Sequence, residues 1–454
     1  MYSSVIGYTF LKAYNERESA SYSAQEFCEE KLFILVFEEG KNLFRHKNST
    51  FDQGNLKGIK EEGISNHEKH EIRKRILKSK IEEERQYIDD SFVPGYPSSE
   101  KNGFPLNSGQ ITDMRTYPNV QDAYAAWIGT CFNIKLQGDV LLQLNEPQLL
   151  LDIYDGIEYY KSYIESPIYK NLQQRQLFTW NNLWLSHKYS RDFIEERPLF
   201  GIQEPGPLKG KSILAFNVTS WTKVLLSIAR KFNKTVLGYI TNRDMKSNVS
   251  TIGFVPINLK SFNKVKDFYK NIFGEGDYLK NRNIVDSLFG GDITLNVICQ
   301  KGEIGIQALK PAGLEKYIWK GTIKHKTNET EQTLSLKVYQ TWLTAMLNNT
   351  EIAALSEDFA DKLHNYAGLS KTKTSTEREK YNAIENLLSV KKYVPAFLDR
   401  LATIVDDYPN PPEEFLQVTQ AISTQISGQD FHFFTSLTRF HFNYKNQKNR
   451  AKTV

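Results

Sequence analysis

Three groupings in this sequence hold residue types that do chemistry. Asp292, Glu303 and Lys310 lie around a segment that reads strand–turn–strand, Ile293 to Cys299 and Ile304 to Leu309. Two carboxylates and a lysine on adjacent strands are how many metal-dependent nucleases hold a cation and activate water. That chemistry wants Glu-x-Lys, but Gly305 stands two residues after Glu303 and Lys310 lies further along. Hairpin-end carboxylates facing solvent are therefore expected. His67-Glu68-Lys69-His70 is one residue short of a zinc-protease helix, whose histidines must be four apart to share a face. The expectation there is a solvated helix. Gly206-Pro207-Leu208-Lys209-Gly210-Lys211-Ser212 has three residues between its glycines where a phosphate loop has four, and it leads into a strand rather than a helix. A plain surface turn is expected. No catalytic residue, metal or cofactor is read from the sequence.

What stands out instead is charge. Between Lys209 and Lys270 the chain carries twelve Lys or Arg and two acids, Asp244 and Asp267, although its whole formal charge is +5. Phe431 to Val454 adds Arg439, Lys445, Lys448, Arg450 and Lys452 and no acid. Concentrated basic surface attracts polyanions better than the same charge spread out. Lys223, Arg230 and Lys234 fall opposite the apolar stripe of a helix, at spacings that align them on one ridge. Lys264, Lys266 and Lys270 on a following helix extend the same surface if both helices cover one sheet. Lys211, Lys231, Arg243 and Lys246 complete the block. Arg439 and Lys445 interleave with Phe440, Phe442 and Tyr444, a pattern that suits stacking and phosphate pairing. It suits equally a terminal amphipathic element with its aromatics inward. These twelve basic residues are the expected nucleic-acid contacts.

Length and composition bound the rest. At 454 residues, with 40% hydrophobic and 13% aromatic content, the chain can build two or three cored domains. Cys28, Cys131 and Cys299 form no CxxC pair, which fits a reducing compartment. The N-terminus lacks a charged region followed by an apolar run, and no stretch is apolar enough to span a membrane. A cytoplasmic protein without a membrane partner is expected.

The expected fold is α+β in three regions. Residues 1–205 form a mixed, mainly helical region, with Ser23 and Glu26 as a capping box and a long loop at Phe92 to Asn119. Residues 206–330 read β-α-β-β-α-β, the ferredoxin-like order: a strand at Ser212–Val218, a helix capped by Thr219 or Ser220, strands at Thr235–Ile240 and Thr251–Ile257, a helix from Ser261 to Gly274, and the strand pair above. Residues 331–454 read as a helical bundle with a basic tail, mobile after Tyr444. The last element, after Asp430, suits a helix or a strand.

Tyr393-Val394-Pro395-Ala396-Phe397-Leu398, Leu437-Thr438-Arg439-Phe440 and the early Asn48-Ser49-Thr50-Phe51-Asp52-Gln53-Gly54 carry a family likeness. With its mixed N-terminal portion and helical C-terminal bundle, the chain resembles the large subunits of type I CRISPR Cascade effectors. The resemblance implies a non-enzymatic, DNA-contacting subunit beside other Cascade proteins and guide RNA. The sequence thus leads to a nucleic-acid-binding subunit of a ribonucleoprotein assembly. The alternatives are a metal-dependent nuclease of a defence system, using Asp292 and Glu303, and an interaction scaffold for an acidic partner.

Overall fold

The structure of the chain, a computed structural model, describes all residues except 1, 38–41, 47, 48, 52–62, 84–92, 97–118, 137–139, 209, 211, 244–249, 292–301, 324–328, 369–374, 429 and 452–454. The fold is mixed helix and antiparallel sheet, in two compact units, Met1–Leu259 and Lys260–Val454. The division falls inside the region 206–330 rather than at its ends.

The first unit begins with α1 (Tyr2–Glu18), followed by α2 (Ala24–Phe27) and α3 (Phe33–Phe37), which a π-turn at Cys28–Leu32 joins. Ser23 caps α2 as expected: its hydroxyl accepts from the Glu26 amide, and Glu26 accepts from the Ser23 amide. α4 (Asn66–Glu83) carries the His67–His70 segment, and His70 is buried beside Phe51 rather than solvated. α1 lies backbone to backbone on α5 (Val120–Cys131). A Cβ on Gly7 would meet the Ala125 carbonyl at 1.9 Å, and one on Gly129 would meet the Ser3 carbonyl at 1.9 Å. The two glycines are what lets these helices approach so closely.

β1 (Ile134–Lys135) and β2 (Val140–Leu144) precede α6 (Pro147–Glu165) and α7 (Leu177–Lys188). Trp180 and Trp184 on α7 are buried, and their indoles donate to the Gly156 and Asp152 carbonyls of α6, each at 2.6 Å. β3 (Gly206–Pro207) pairs with β4 (Leu214–Ala215) in a small sheet of its own. α8 (Trp221–Lys231) starts at Ser220, whose hydroxyl accepts from the Lys223 amide at 3.3 Å. β5 (Thr235–Arg243) and β6 (Ser250–Asn258) then form a hairpin.

The four-stranded sheet has the order β1-β2-β5-β6, antiparallel throughout, with Leu142 opposite Ile240 and Gly238 opposite Val255. This corrects the ferredoxin-like expectation. In that order β5 would be an edge strand paired with β6 alone, whereas here β2, from the N-terminal region, pairs with its other side. Only two residues of Ser212–Val218 are strand, and they pair with β3. Ile306–Leu309 is a 3-10 turn, held by the Gly290 amide on the Leu309 carbonyl at 3.0 Å. Ile293–Cys299 lies outside the described residues.

The second unit runs from α9 (Leu259–Phe273) through α10 (Glu275–Leu288), α11 (Leu314–Lys320), α12 (Glu329–Leu347), α13 (Thr350–Ala367), α14 (Ser375–Leu388), α15 (Val394–Val405) and α16 (Glu413–Thr424) to α17 (Phe431–Ala451). Gly274, at φ 89°, ends α9, a conformation that costs glycine little. The C-terminal helical bundle is present, but it starts well before 331. Lys337 of α12 reaches Asp277 of α10 at 2.6 Å, and Trp342 of α12 donates to the Ile306 carbonyl at 2.9 Å. The closing element is a helix, and it continues past Tyr444 to Ala451. Gln447 donates to the Gly321 carbonyl, so the tail packs where mobility was expected.

His441 is buried in α17, and burial pulls its pKa from 6.5 down to about 4. Below pH 6.5 the unfolded chain takes up a proton that the folded chain refuses. The stability this group allows is therefore full above about pH 6.5 and is lost as pH falls toward 4. A shift of this size is worth about 3 kcal/mol. Burial lowers His364 and His432 in the same sense. The urea midpoint of the second unit's transition should thus fall between neutral pH and pH ~4.5. His441→Gln should flatten that dependence. A parent midpoint that does not move with pH would contradict a buried neutral imidazole.

Candidate nucleic-acid interface

The expected basic surface is built unevenly. α8 is amphipathic, with Trp221, Val224, Leu225 and Ile228 buried and Lys223, Arg230 and Lys231 on the other side. Lys223 is half-buried. Arg230 donates to the Tyr189 carbonyl at 3.1 Å, and Lys231 is exposed. Both lie in the last turn of α8, where cations also offset the helix dipole. Lys234 lies past the helix end and pairs with Glu146 at 2.5 Å, so it does not prolong the ridge.

Arg230 and Lys231 border an open cleft of about 400 Å³ with Lys188, Asp152, Tyr189, Phe193 and others. Its floor is ordered. The Tyr189 hydroxyl donates to Asp152 at 2.6 Å, Lys188 stands 3.6 Å from the same carboxylate, and Gln148 donates to it at 3.3 Å. Burial and the Asp152 charge hold the Tyr189 phenol far above its ordinary pKa, so it stays protonated and serves as a donor. Nothing in this arrangement is a nucleophile with a base. Three cations, Lys188, Arg230 and Lys231, and two carboxylates, Asp152 and Glu195, line it.

α9 lies in the second unit, whereas α8 lies in the first. Lys264 is half-buried, Lys266 is buried with Nζ 3.5 Å from Asn263, and Lys270 pairs with Glu275 at 3.6 Å. Arg243 closes strand β5. Lys211 and Lys246 lie outside the described residues. Of the two C-terminal residues, Arg439 is buried rather than presented to a ligand, and Lys445 is half-buried. Arg439 is only 4% exposed, donates to the Ile318 carbonyl at 2.8 Å, pairs with Glu385 and stacks on Trp319. Lys445 pairs with Asp361. The helical phase of α17 turns both toward neighbouring helices.

Sequence reasoning missed the outer face of the sheet. Along β5 and β6, Val236, Ile240, Val255 and Ile257 point inward. Leu237 and Phe254 on the other face are 48% and 55% exposed. Phe254 and Tyr239 are cross-strand partners with ring centres 5.0 Å apart, and Tyr2 packs on them at 5.0 and 4.8 Å. The Tyr2 hydroxyl donates to the Leu237 carbonyl at 3.2 Å, and burial beside Tyr239 pushes its pKa up to about 12. The available signal was that Val236-Leu237-Gly238-Tyr239-Ile240 is apolar at both parities, more than one buried face needs.

The nuclease constellation is not assembled by the described residues. Glu303 is exposed beside the 3-10 turn, Lys310 pairs with Glu315 at 3.4 Å, and Asp292 lies outside them. Among the described residues no group of three His, Cys, Asp or Glu side chains is placed to hold a metal ion. No helix among them is long and apolar enough to cross a membrane.

No family model, curated protein or solved structure matches the chain.

Proposed function

We propose that the chain is a non-catalytic nucleic-acid-binding subunit of a larger assembly, and that its first unit takes a single strand. The observation that carries this is the pair of exposed Phe254 and half-buried Tyr239 on the outer face of an antiparallel sheet. Ordinary surfaces scatter apolar residues singly, whereas here rings touch one another. Sheet faces of this kind bind single strands by stacking bases on aromatic rings. Lys231 and Lys234 lead into β5, and Arg243 ends it. At roughly 3.3 Å per residue, the positions of Lys234 and Arg243 lie about 17 and 13 Å along the chain from Tyr239. The likeness to Cascade large subunits fits the same reading, with DNA or guide RNA as the strand and the other subunits as protein partners in the cytoplasm.

The test is anisotropy of a labelled oligo(dT) of about 30 nucleotides with the full chain. Tyr239→Ala/Phe254→Ala should weaken binding about 10–100-fold, since stacking contributes roughly 1–3 kcal/mol per base. Lys231→Glu, which breaks no ion pair among the described residues, should weaken it less and lower the salt slope by about 0.7. No cleavage is expected with Mg²⁺ or Mn²⁺. Cleavage lost in Asp292→Ala would promote the nuclease reading. The exposed aliphatic Leu237 favours a second reading, a scaffold whose partner is a protein. Oligonucleotide binding indifferent to Tyr239 and Phe254 would leave that face to such a partner.

A further inference from the structure

The second unit gathers positive charge around one indole. Lys391 Nζ stands 4.1 Å from the ring centre of Trp319 in α11, and the Arg439 guanidinium carbon stands 4.4 Å from it. Lys391 and Lys392 are exposed, in the loop from α14 to α15. Tyr393 follows as the N-cap of α15. It is 66% exposed and makes no capping bond. His432, at the start of α17, is half-buried, and its pKa is lowered first by burial and then by Lys391, Lys310 and Lys392, with Glu315 acting the other way. Cations from three separate stretches of chain therefore converge.

The nearby carboxylates are committed elsewhere. Glu385 holds Arg439, and Glu315 holds Lys310. Among the described residues no carboxylate pairs with Lys391 or Lys392. Of the converging cations, Lys391 and Lys392 are thus the two without a carboxylate among the described residues, and holding these like charges side by side costs the isolated chain free energy. The same assembly attracts a polyanion, which supplies the missing charge. Trp319 already has two cations on its ring, so Tyr393 is the ring open to a base.

We propose that this patch is a second contact for single-stranded nucleic acid, with phosphates on Lys391 and Lys392 and a base on Tyr393. The proposal rests on the nucleic-acid reading of the first unit and adds a site in the second. It lies outside the basic block of the sequence, in a segment of only two lysines.

The experiment uses the full chain and the same labelled oligo(dT) across a salt series. Lys391→Ala/Lys392→Ala should lower affinity about 10-fold at ~150 mM salt and reduce the slope of log affinity against log salt by about 1.4, two phosphate contacts at ~0.7 each. Tyr393→Ala should lower affinity about 5-fold or more and leave the slope unchanged. All three side chains are exposed, so unfolding is not expected, and circular dichroism checks it. If the lysine pair can be removed without changing affinity or slope while Tyr239→Ala/Phe254→Ala still weakens binding, this second site is refuted and the first stands. A parent chain that does not bind the oligonucleotide overturns both.

Discussion

A chain shortened to begin at Lys326 is expected to lose its cooperative unfolding transition, whereas one beginning at Lys260 should keep it. The difference lies in the segment 260–325, which completes the core of the C-terminal helices. Tyr317 of α11 is buried with its ring 5.8 Å from Tyr339 and 5.4 Å from Phe440. The Tyr339 hydroxyl donates to the Ala312 carbonyl and the Trp342 indole to that of Ile306. Arg439 and Asn443 both donate to the Ile318 carbonyl at 2.8 Å. Removing the segment strands these donors, each at a cost of about 1–3 kcal/mol, and uncovers large side chains worth roughly 1.5–3 kcal/mol apiece. The sum is comparable with the whole stability of an ordinary domain, about 5–15 kcal/mol. Thermal melts by circular dichroism and urea titration of the two fragments decide it. A Lys326 fragment that melts as sharply as the Lys260 fragment, at the same temperature, would show the packing to be dispensable.

The second large effect is at Arg439. Its substitution by Ala should cost about 3–5 kcal/mol, the range for removing one partner of a buried ion pair. Glu385 would lose its cation, the Ile318 carbonyl a donor and Trp319 one of its stacked groups. Glu385 is partly exposed, which places the cost toward the lower end. Lysine should rescue little, because it lacks the planar fork that bonds and stacks at once. The measurement is the urea midpoint of the second unit together with the salt slope of oligonucleotide binding. A variant of parent stability but reduced slope would mean that Arg439 meets phosphate, as its sequence neighbourhood suggested. Parent slope with a lower midpoint is the expected outcome.

Much of the local structure was legible because its causes are local. Ser23 and Glu26 are three residues apart, which is all a capping box needs, and the box forms. Ser220 before an apolar stripe starts α8, and Gly274 stops α9. The apolar, β-prone runs at 235–240 and 251–257 read as two strands close enough in sequence to pair as a hairpin, and they do. Periodicity places C-terminal helices at Thr350–Ala367, Thr376–Ser389, Val394–Asp406 and Pro412–Ile426, and they form at Thr350–Ala367, Ser375–Leu388, Val394–Val405 and Glu413–Thr424. The candidate interface was legible only as charge: the excess of Lys and Arg from 209 to 270 is a fact of composition, whatever the chain does with it.

By itself, then, the sequence determined many of the helices and the β5–β6 pair, where several elements are capped, and where positive charge accumulates. Each follows from interactions within a turn or a strand. Only the tertiary structure decided which partners those segments choose. β5 could have paired with a later strand, but β2, nearly a hundred residues earlier, supplied the complementary apolar edge. Ile304–Leu309 has the composition of a strand and forms a tight turn, because Gly290 and Trp342 take its carbonyls. Arg439 and Lys231 are the same kind of residue to a sequence reader. One is buried because α11 and α14 close over α17, and the other is exposed on the last turn of α8. Burial of a charge depends on long-range neighbours able to solvate it, and a single sequence does not state which neighbours those are.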